Sequence, residues 1–196
     1  MPGSTAARSV VHALRFETRR LRLTALDAAA LEAWLDRDRD RLVDATGVAF
    51  DEAVEVPPLF GEDLPTFTQR MREDPTELGW WVWLVSTLDG DTPVGVCGLG
   101  GRPRAGYTDL GYSVYPHLEG RGFATEASLG LIEWVARQSG VEGVRARMPL
   151  WNHASVAVAR KLGMSEAGRT FDPEAGEVLI YERQLRASSS SNATIS

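Results

Sequence analysis

The stretch "EGRGFATEA", residues 119–127, sets two glycines around an arginine just before an apolar helical run. Gly120 and Gly122 let the backbone approach a ligand closely. The first N–H groups of a helix opening here, those of Phe123, Ala124 and Thr125, would face an anion along the favourable end of the dipole. Arg121 can add a charge-assisted contact, whereas Glu119 brings the wrong sign. The same letters also suit a strand-to-helix turn that merely needs glycine. A P-loop does not fit, because no Gly-Lys-Ser/Thr follows. A dinucleotide fingerprint fails at its third glycine, where Thr125 stands. Farther on, Asn152 and Ser155 lie three apart; Asn152 suits a helix cap, and Ser155 reads as helix surface. His12, His117 and His153 are scattered and, with one cysteine, form no metal-ligating constellation.

The surrounding pattern says which elements must carry these residues. "RLRLTAL" (20–26) alternates like a half-buried strand, and Thr24 or Asp27 can cap a helix over 27–37 with Ala30, Leu31, Trp34 and Leu35 along one side. Charged, then Pro-containing residues fill 38–61 as a short helix and a loop, and 64–74 reads as a helix ended by Pro75. Three strands at 80–88, 92–101 and 107–116 follow, separated by hairpin-type turns, which describes an antiparallel meander. By alternation Trp81 and Trp83 share one face of the first of these and Trp80 takes the other. A helix near 121–138, with Ala124, Ala127, Leu131 and Val135 on one side, leads to a strand at 141–150 and a helix at 153–162. Strands at 164–171 and 177–185 close the pattern. The expected fold is α/β, with a mixed, mostly antiparallel sheet flanked by helices.

The 196 residues suit one domain, expected over 14–186, between a small polar N-terminal tail at 1–13 and a Ser-rich tail at 187–196. Hydrophobic residues make up 43% and charged residues 24%, the balance of a globular protein. A net charge of −6, from 21 basic and 27 acidic residues, argues against general nucleic-acid binding. Cys97 is the only cysteine, no leader is evident and no apolar run is long enough to span a bilayer. The expectation is a cytoplasmic protein with no membrane partner and no metal.

"YSVYPHLEGRGFATEA" resembles the acyl-CoA loop of the GNAT superfamily of N-acetyltransferases, with Val114, Pro116, Gly122 and Ala124 matching. "WNHASVAVARKLGM" (151–164) is similar to that family's N-x-x-S…L-G-M segment, and Thr18, Arg20, Leu21 and Leu23 to its first strand. The likeness covers roughly residues 16–186 and is greatest to the bacterial ribosomal-protein N-terminal acetyltransferases (the RimJ/RimL-like group). Glu119 departs from the pattern, standing where Arg or Gln is usual.

The resemblance implies an acetyl-CoA-dependent transfer of an acetyl group directly to a primary amine, either a protein N-terminus or a small molecule. A non-catalytic acyl-CoA sensor or an interaction domain is the alternative. It implies that the pyrophosphate of acetyl-CoA lies on Gly120, Arg121, Gly122, Phe123, Ala124 and Thr125. The pantetheine arm would pair with the backbone of Tyr112, Ser113 and Val114, with Gly111 marking a bulge that opens the slot. A backbone N–H near Val114 would then polarise the thioester carbonyl. Asn152 would contact pantetheine, and Ser155 would lie near the sulfur and protonate the leaving thiolate. Asp109 stands where relatives often carry an acid; it reads equally as a base acting through water, an orienter of the amine, or an exposed strand carboxylate. Glu126 reads as a structural partner of the helix dipole. The 44–62 segment is the expected acceptor lid, and homodimerisation is the family's habit.

Overall fold

A computed structural model of the chain describes residues 14–51, 54–58 and 60–185. The expected tails, 1–13 and 187–196, lie outside the described residues, as do Glu52, Ala53 and Leu59 of the expected lid. Strand β1 (Arg15–Glu17) turns into β2 (Leu21–Ala25), and helices α1 (Ala28–Leu35), α2 (Arg39–Thr46) and α3 (Leu64–Glu73) follow. The meander is β3 (Val82–Thr87), β4 (Pro93–Leu99) and β5 (Tyr107–Val114). Then come α4 (Phe123–Val135), β6 (Gly143–Pro149), α5 (His153–Lys161), β7 (Ser165–Asp172) and β8 (Gly176–Gln184). The eight strands form one sheet in the order β1-β2-β3-β4-β5-β6-β8-β7. Only β5 and β6 run parallel, which makes the fold the mixed, mostly antiparallel α/β arrangement expected.

Each sheet face is closed by its own helices because the strands carry apolar residues on both sides. Leu21, Leu23, Trp83, Val85 and Cys97 pack with Phe123, Ala127, Leu131 and Val135 of α4 and with Val156 and Ala159 of α5. On the opposite face, Val82, Leu84 and Val96 meet Leu31 and Trp34 of α1, Leu42 of α2, and Leu64 and Met71 of α3. Asp27 caps α1 by accepting the N–H of Ala30 at 2.9 Å. Leu35 ends that helix 40% exposed and Ala33 is buried instead; the helix stops two residues short of the span that the sequence suggested. Among the described residues no helix is long and apolar enough to cross a membrane.

Two local features differ from expectation. Strand β3 starts at Val82, so Trp80 and Trp81 both precede it and neither obeys its alternation. Trp80 and Trp83 both meet Trp134 of α4, at 5.5 and 5.3 Å between ring centroids, while Trp81 lies with α3 on the other side. Nor does Gly111 mark a bulge: it sits in regular register opposite Gly98. The irregularity lies in β4, where Val85 opposes Gly95 but Ser86 opposes Pro93, leaving Val94 as the extra residue. A Cβ built on Gly95 would stand 2.2 Å from the Ser113 carbonyl oxygen, so glycine alone lets the bulged strand lie against β5.

Candidate active site

Strand β5 pairs with β6 only through Asp109, which lies opposite Arg145. Beyond that point the two parallel strands part, while β5 stays bonded to β4 as far as Val114. The Tyr115 N–H donates to Val94 and the Gly100 N–H to the carbonyl of Asp109. Since peptide groups alternate sides along a strand, those of Tyr112 and Val114 face the gap, whereas that of Ser113 faces β4. A cavity of about 380 Å³ occupies the gap. Asp109, Tyr112, Ser113, Asn152 and Ser155 line it, with Phe60, Asp63, Phe67 and Trp81 on the α3 side and Arg147 from β6.

Asn152 caps α5: its side-chain oxygen accepts the Ser155 N–H at 3.0 Å. That leaves its amide N–H groups for another acceptor. The Ser155 side chain takes part in no hydrogen bond among the described residues, but its backbone carbonyl accepts the Tyr112 hydroxyl at 3.0 Å across the gap. Burial pushes the Tyr112 hydroxyl up to about 12, against a smaller downward pull from that bond, so it stays a neutral donor. One oxygen of Asp109, Oδ1, is shielded and has no partner among the described residues. The other lies 3.5 Å from an Arg147 guanidinium nitrogen. Cys97 also borders the cavity, yet burial raises its thiol far above its ordinary value, which keeps it protonated and poorly nucleophilic.

At the far end of β5 the chain makes a single 3-10 turn over Pro116–Leu118 and enters the glycine loop. Gly120 and Gly122 both adopt left-handed conformations, φ +73° and +79°, which favour glycine. A Cβ at Gly120 would meet nothing within 4 Å, and one at Gly122 only Arg20, at 3.7 Å. Glycine is thus required by the backbone turn, while the space beside it lies open to a ligand. Gly122 is the N-cap of α4 and supplies no side chain, so no side-chain cap occupies the first N–H groups of Phe123, Ala124 and Thr125. Glu119 is exposed at the end of the 3-10 turn. Arg20 and Arg121 place their guanidinium carbons 4.7 and 5.2 Å from the Phe123 ring centroid, two positive charges at the helix start.

Glu126 secures this loop to the first strands. It accepts the Thr18 hydroxyl at 2.8 Å, the Arg20 N–H at 2.8 Å and Arg20 Nε at 2.6 Å. Arg20 in turn donates to the Arg121 carbonyl at 3.2 Å. Burial alone would raise the Glu126 carboxyl, but the bonds from Thr18 and Arg20 and the charge of Arg20 outweigh it and hold the group below its ordinary value.

The structure therefore brings Asp109, Tyr112, Asn152 and Ser155 to one cavity, with the glycine loop at the end of the strand that borders it. Ser113 turns its hydroxyl the other way, to the Pro58 carbonyl at 2.5 Å, and the Tyr115 hydroxyl donates to Glu55 at 2.6 Å. The loop after α2 is so fastened to the end of β5; α2 itself takes Asp44–Thr46 of the expected lid. His117 stacks on Tyr115, 6.0 Å between centroids, and His153 is exposed. Phe60, Asp63, Phe67 and Arg147 were not singled out in the sequence. Arg147 had a faint signal, since it shares a strand face with Arg145, and Phe60 falls within the expected 44–62 lid; Asp63 and Phe67 had none, because the pattern around α3 shows only which residues are apolar.

Residues 20–165 match the family model described as acetyltransferase (GNAT) domain. No curated protein matches the sequence. Among solved structures, the ribosomal-protein-S5-alanine acetyltransferase of Vibrio fischeri is similar at 14% identity and a TM-score of 0.60, covering 88% of this chain and 97% of that one. RimL, a ribosomal L7/L12 alpha-N-protein acetyltransferase solved with coenzyme A, is similar at 16% identity and a TM-score of 0.61, over 87% and 97%. The microcin C7 self-immunity acetyltransferase MccE, solved with acetyl-CoA and AMP, is similar at 16% identity and a TM-score of 0.59, over 85% and 93%. At these identities the likeness is one of fold.

Proposed function

We propose that this chain, which belongs to the acetyltransferase (GNAT) family, moves an acetyl group from acetyl-CoA directly to a primary amine held in the cavity between β5 and β6. The observation that carries the reading is the parting of β5 from β6 after Asp109, which leaves the gap-facing peptide groups of Tyr112 and Val114 unpaired by β6, with Tyr112, Asn152 and Ser155 lining the cavity there. An extended amide-bearing arm can bond to such a strand edge as an added strand does. The open space beside Gly120 and Gly122 and the uncapped N–H groups of Phe123, Ala124 and Thr125 suit a pyrophosphate, with Arg121 as its cation. These are features of the chain that fit the co-substrate, and two of the similar proteins were solved with coenzyme A or acetyl-CoA.

Acetyl-CoA supplies the acyl group and leaves as the thiol. In this reading the Val114 N–H faces the thioester oxygen, where negative charge builds during attack. The Asp109 carboxylate, 44% exposed and bordering the cavity, accepts from the incoming ammonium and orients it, and a water at the carboxylate carries one proton away. The Ser155 hydroxyl, which makes no hydrogen bond among the described residues, passes its proton to the departing sulfur and regains one from the attacking nitrogen. Asn152 holds the arm through its amide while its oxygen caps α5. The buried, protonated Cys97 makes an acyl-cysteine route unfavourable. Incubation with acetyl-CoA and a broad amine panel, following thiol release and the mass of the product, tests the proposal. Coenzyme binding without acylation of any amine would refute it in favour of an acyl-CoA sensor.

A further inference from the structure

Three features of the acceptor side of the cavity select among amines. The first is its wall. Phe60 and Phe67 stack at 5.5 Å between centroids, and Phe67 meets Trp81 at 5.8 Å, so the rings form a continuous aromatic surface. It is also held in place: the Trp81 indole N–H donates to Glu77 at 2.7 Å, and Phe60 packs on the buried Trp34.

The second is charge. Among the described residues, the ionisable side chains bordering the cavity, apart from the protonated Cys97 and Tyr112, are Asp63, Asp109 and Arg147. Arg147 faces Asp109, and Asp63 makes no side-chain cap bond although it begins α3. Two carboxylates against one guanidinium favour a cation and oppose a second carboxylate on the acceptor.

The third is the scarcity of free polar partners on that wall. The Trp81 N–H is given to Glu77, the Ser113 hydroxyl to Pro58 and the Tyr112 hydroxyl to Ser155. A peptide acceptor would lay its amide groups against rings that offer them nothing, and buried unpaired amides are costly.

Resting on the acyl-transfer reading above, we infer that the acceptor is a small arylalkylamine: a primary ammonium on a short chain, carrying a flat apolar group and no neighbouring carboxylate. Its ammonium sits at Asp109, its ring lies on Phe67 and Trp81, and Asp63 adds to the negative field. The reaction balances as follows: the amine nitrogen bonds to the acetyl carbon, the carbon–sulfur bond breaks, the sulfur takes one proton, and a second proton of the ammonium passes to solvent.

The test compares 2-phenylethylamine with n-butylamine, phenylalanine and a peptide beginning with phenylalanine, each with acetyl-CoA and the full chain. The expected kcat/KM for 2-phenylethylamine is at least about tenfold above each of the others, in line with what one well-placed apolar group discriminates. Phe67→Ala should remove about tenfold of the preference for 2-phenylethylamine over n-butylamine, read as the ratio of their kcat/KM values in the same variant; Phe67→Leu, which keeps a large apolar side chain there, guards against a folding defect. Equal use of n-butylamine, or better use of phenylalanine or the peptide, overturns the inference while leaving acetyl transfer intact. If no amine is acylated, the acyl-transfer reading fails instead. Calorimetric binding of 2-phenylethylamine against n-butylamine then still decides the selectivity, and equal affinities overturn it.

Discussion

Arg20 and Glu126 meet at 2.6 Å although they stand 106 positions apart, and their contact joins the turn before β2 to the first turn of α4. The pair is more than a surface bridge, because the same carboxylate also accepts the Thr18 hydroxyl and the Arg20 N–H. Its position matters as much as its strength, since Arg20 also holds the Arg121 carbonyl inside the glycine loop. Replacing Glu126 by Gln keeps the shape and removes the charge. With the Arg20 side chain 37% exposed, solvent screening limits the expected loss of stability to about 1 kcal/mol. Affinity for coenzyme A should fall by about threefold to tenfold as the loop loosens, measured by calorimetry on a variant that remains folded.

The same carboxylate gives a pH signature. Its folded-state value lies below the ordinary 4.5, so the contribution to stability is complete above the unfolded value and disappears as pH falls through the folded one. The melting-temperature gap between the native chain and Glu126→Gln should therefore be widest near neutrality and close below pH 4.5. A gap that stays constant from neutral to acidic pH would remove Glu126 as its source.

Gly122 turns the chain into α4 at φ +79° with open space beside it. Gly122→Trp should eliminate coenzyme A binding, because the ring occupies the space where the phosphates approach. The left-handed backbone adds a stability cost of about 1–2 kcal/mol, which a thermal melt separates from the binding defect. Unchanged affinity in a folded variant would refute the loop assignment.

Ser155 borders the cavity and its hydroxyl makes no hydrogen bond among the described residues, while its backbone does the structural work of receiving Tyr112 and being capped by Asn152. Ser155→Ala leaves both backbone contacts in place. Turnover should fall by about 10²-fold with KM for acetyl-CoA nearly constant, the mark of a lost proton donor. An unaltered kcat would remove Ser155 from that role.

Gly95 is held by space rather than by chemistry. A methyl group there would stand 2.2 Å from the Ser113 oxygen and 2.8 Å from the Val114 Cα, both backbone atoms. Gly95→Ala should cost about 3 kcal/mol and lower activity through a displaced β5, measured by chemical denaturation and turnover together.

Much of this protein is written locally. Alternation in "RLRLTAL", the helical spacing of Ala127, Leu131 and Val135, the Asp27 and Asn152 caps and the glycines before α4 depend on residues a few positions apart. Those periods suffice to place twelve of the thirteen helices and strands in order; β1, only three residues long, was too short to show a period. They also identify the glycine loop and the Asn152–Ser155 pair, although their roles came from resemblance to other sequences.

What local pattern could not decide is where two distant strands stop pairing. The gap opens after Asp109 because β5 keeps its bonds to β4 while β6 follows β8, and the register of all four strands sets that point. The same holds for the bulge, which the family resemblance put at Gly111 and packing put at Val94, and for Trp80, which lies outside its strand and turns towards Trp134. The aromatic wall from α3 and the Arg20–Glu126 clasp are likewise long-range. Such contacts are chosen by complementary packing and charge over the whole sheet, so only the tertiary structure shows which cavity-lining residues the glycine loop is joined to.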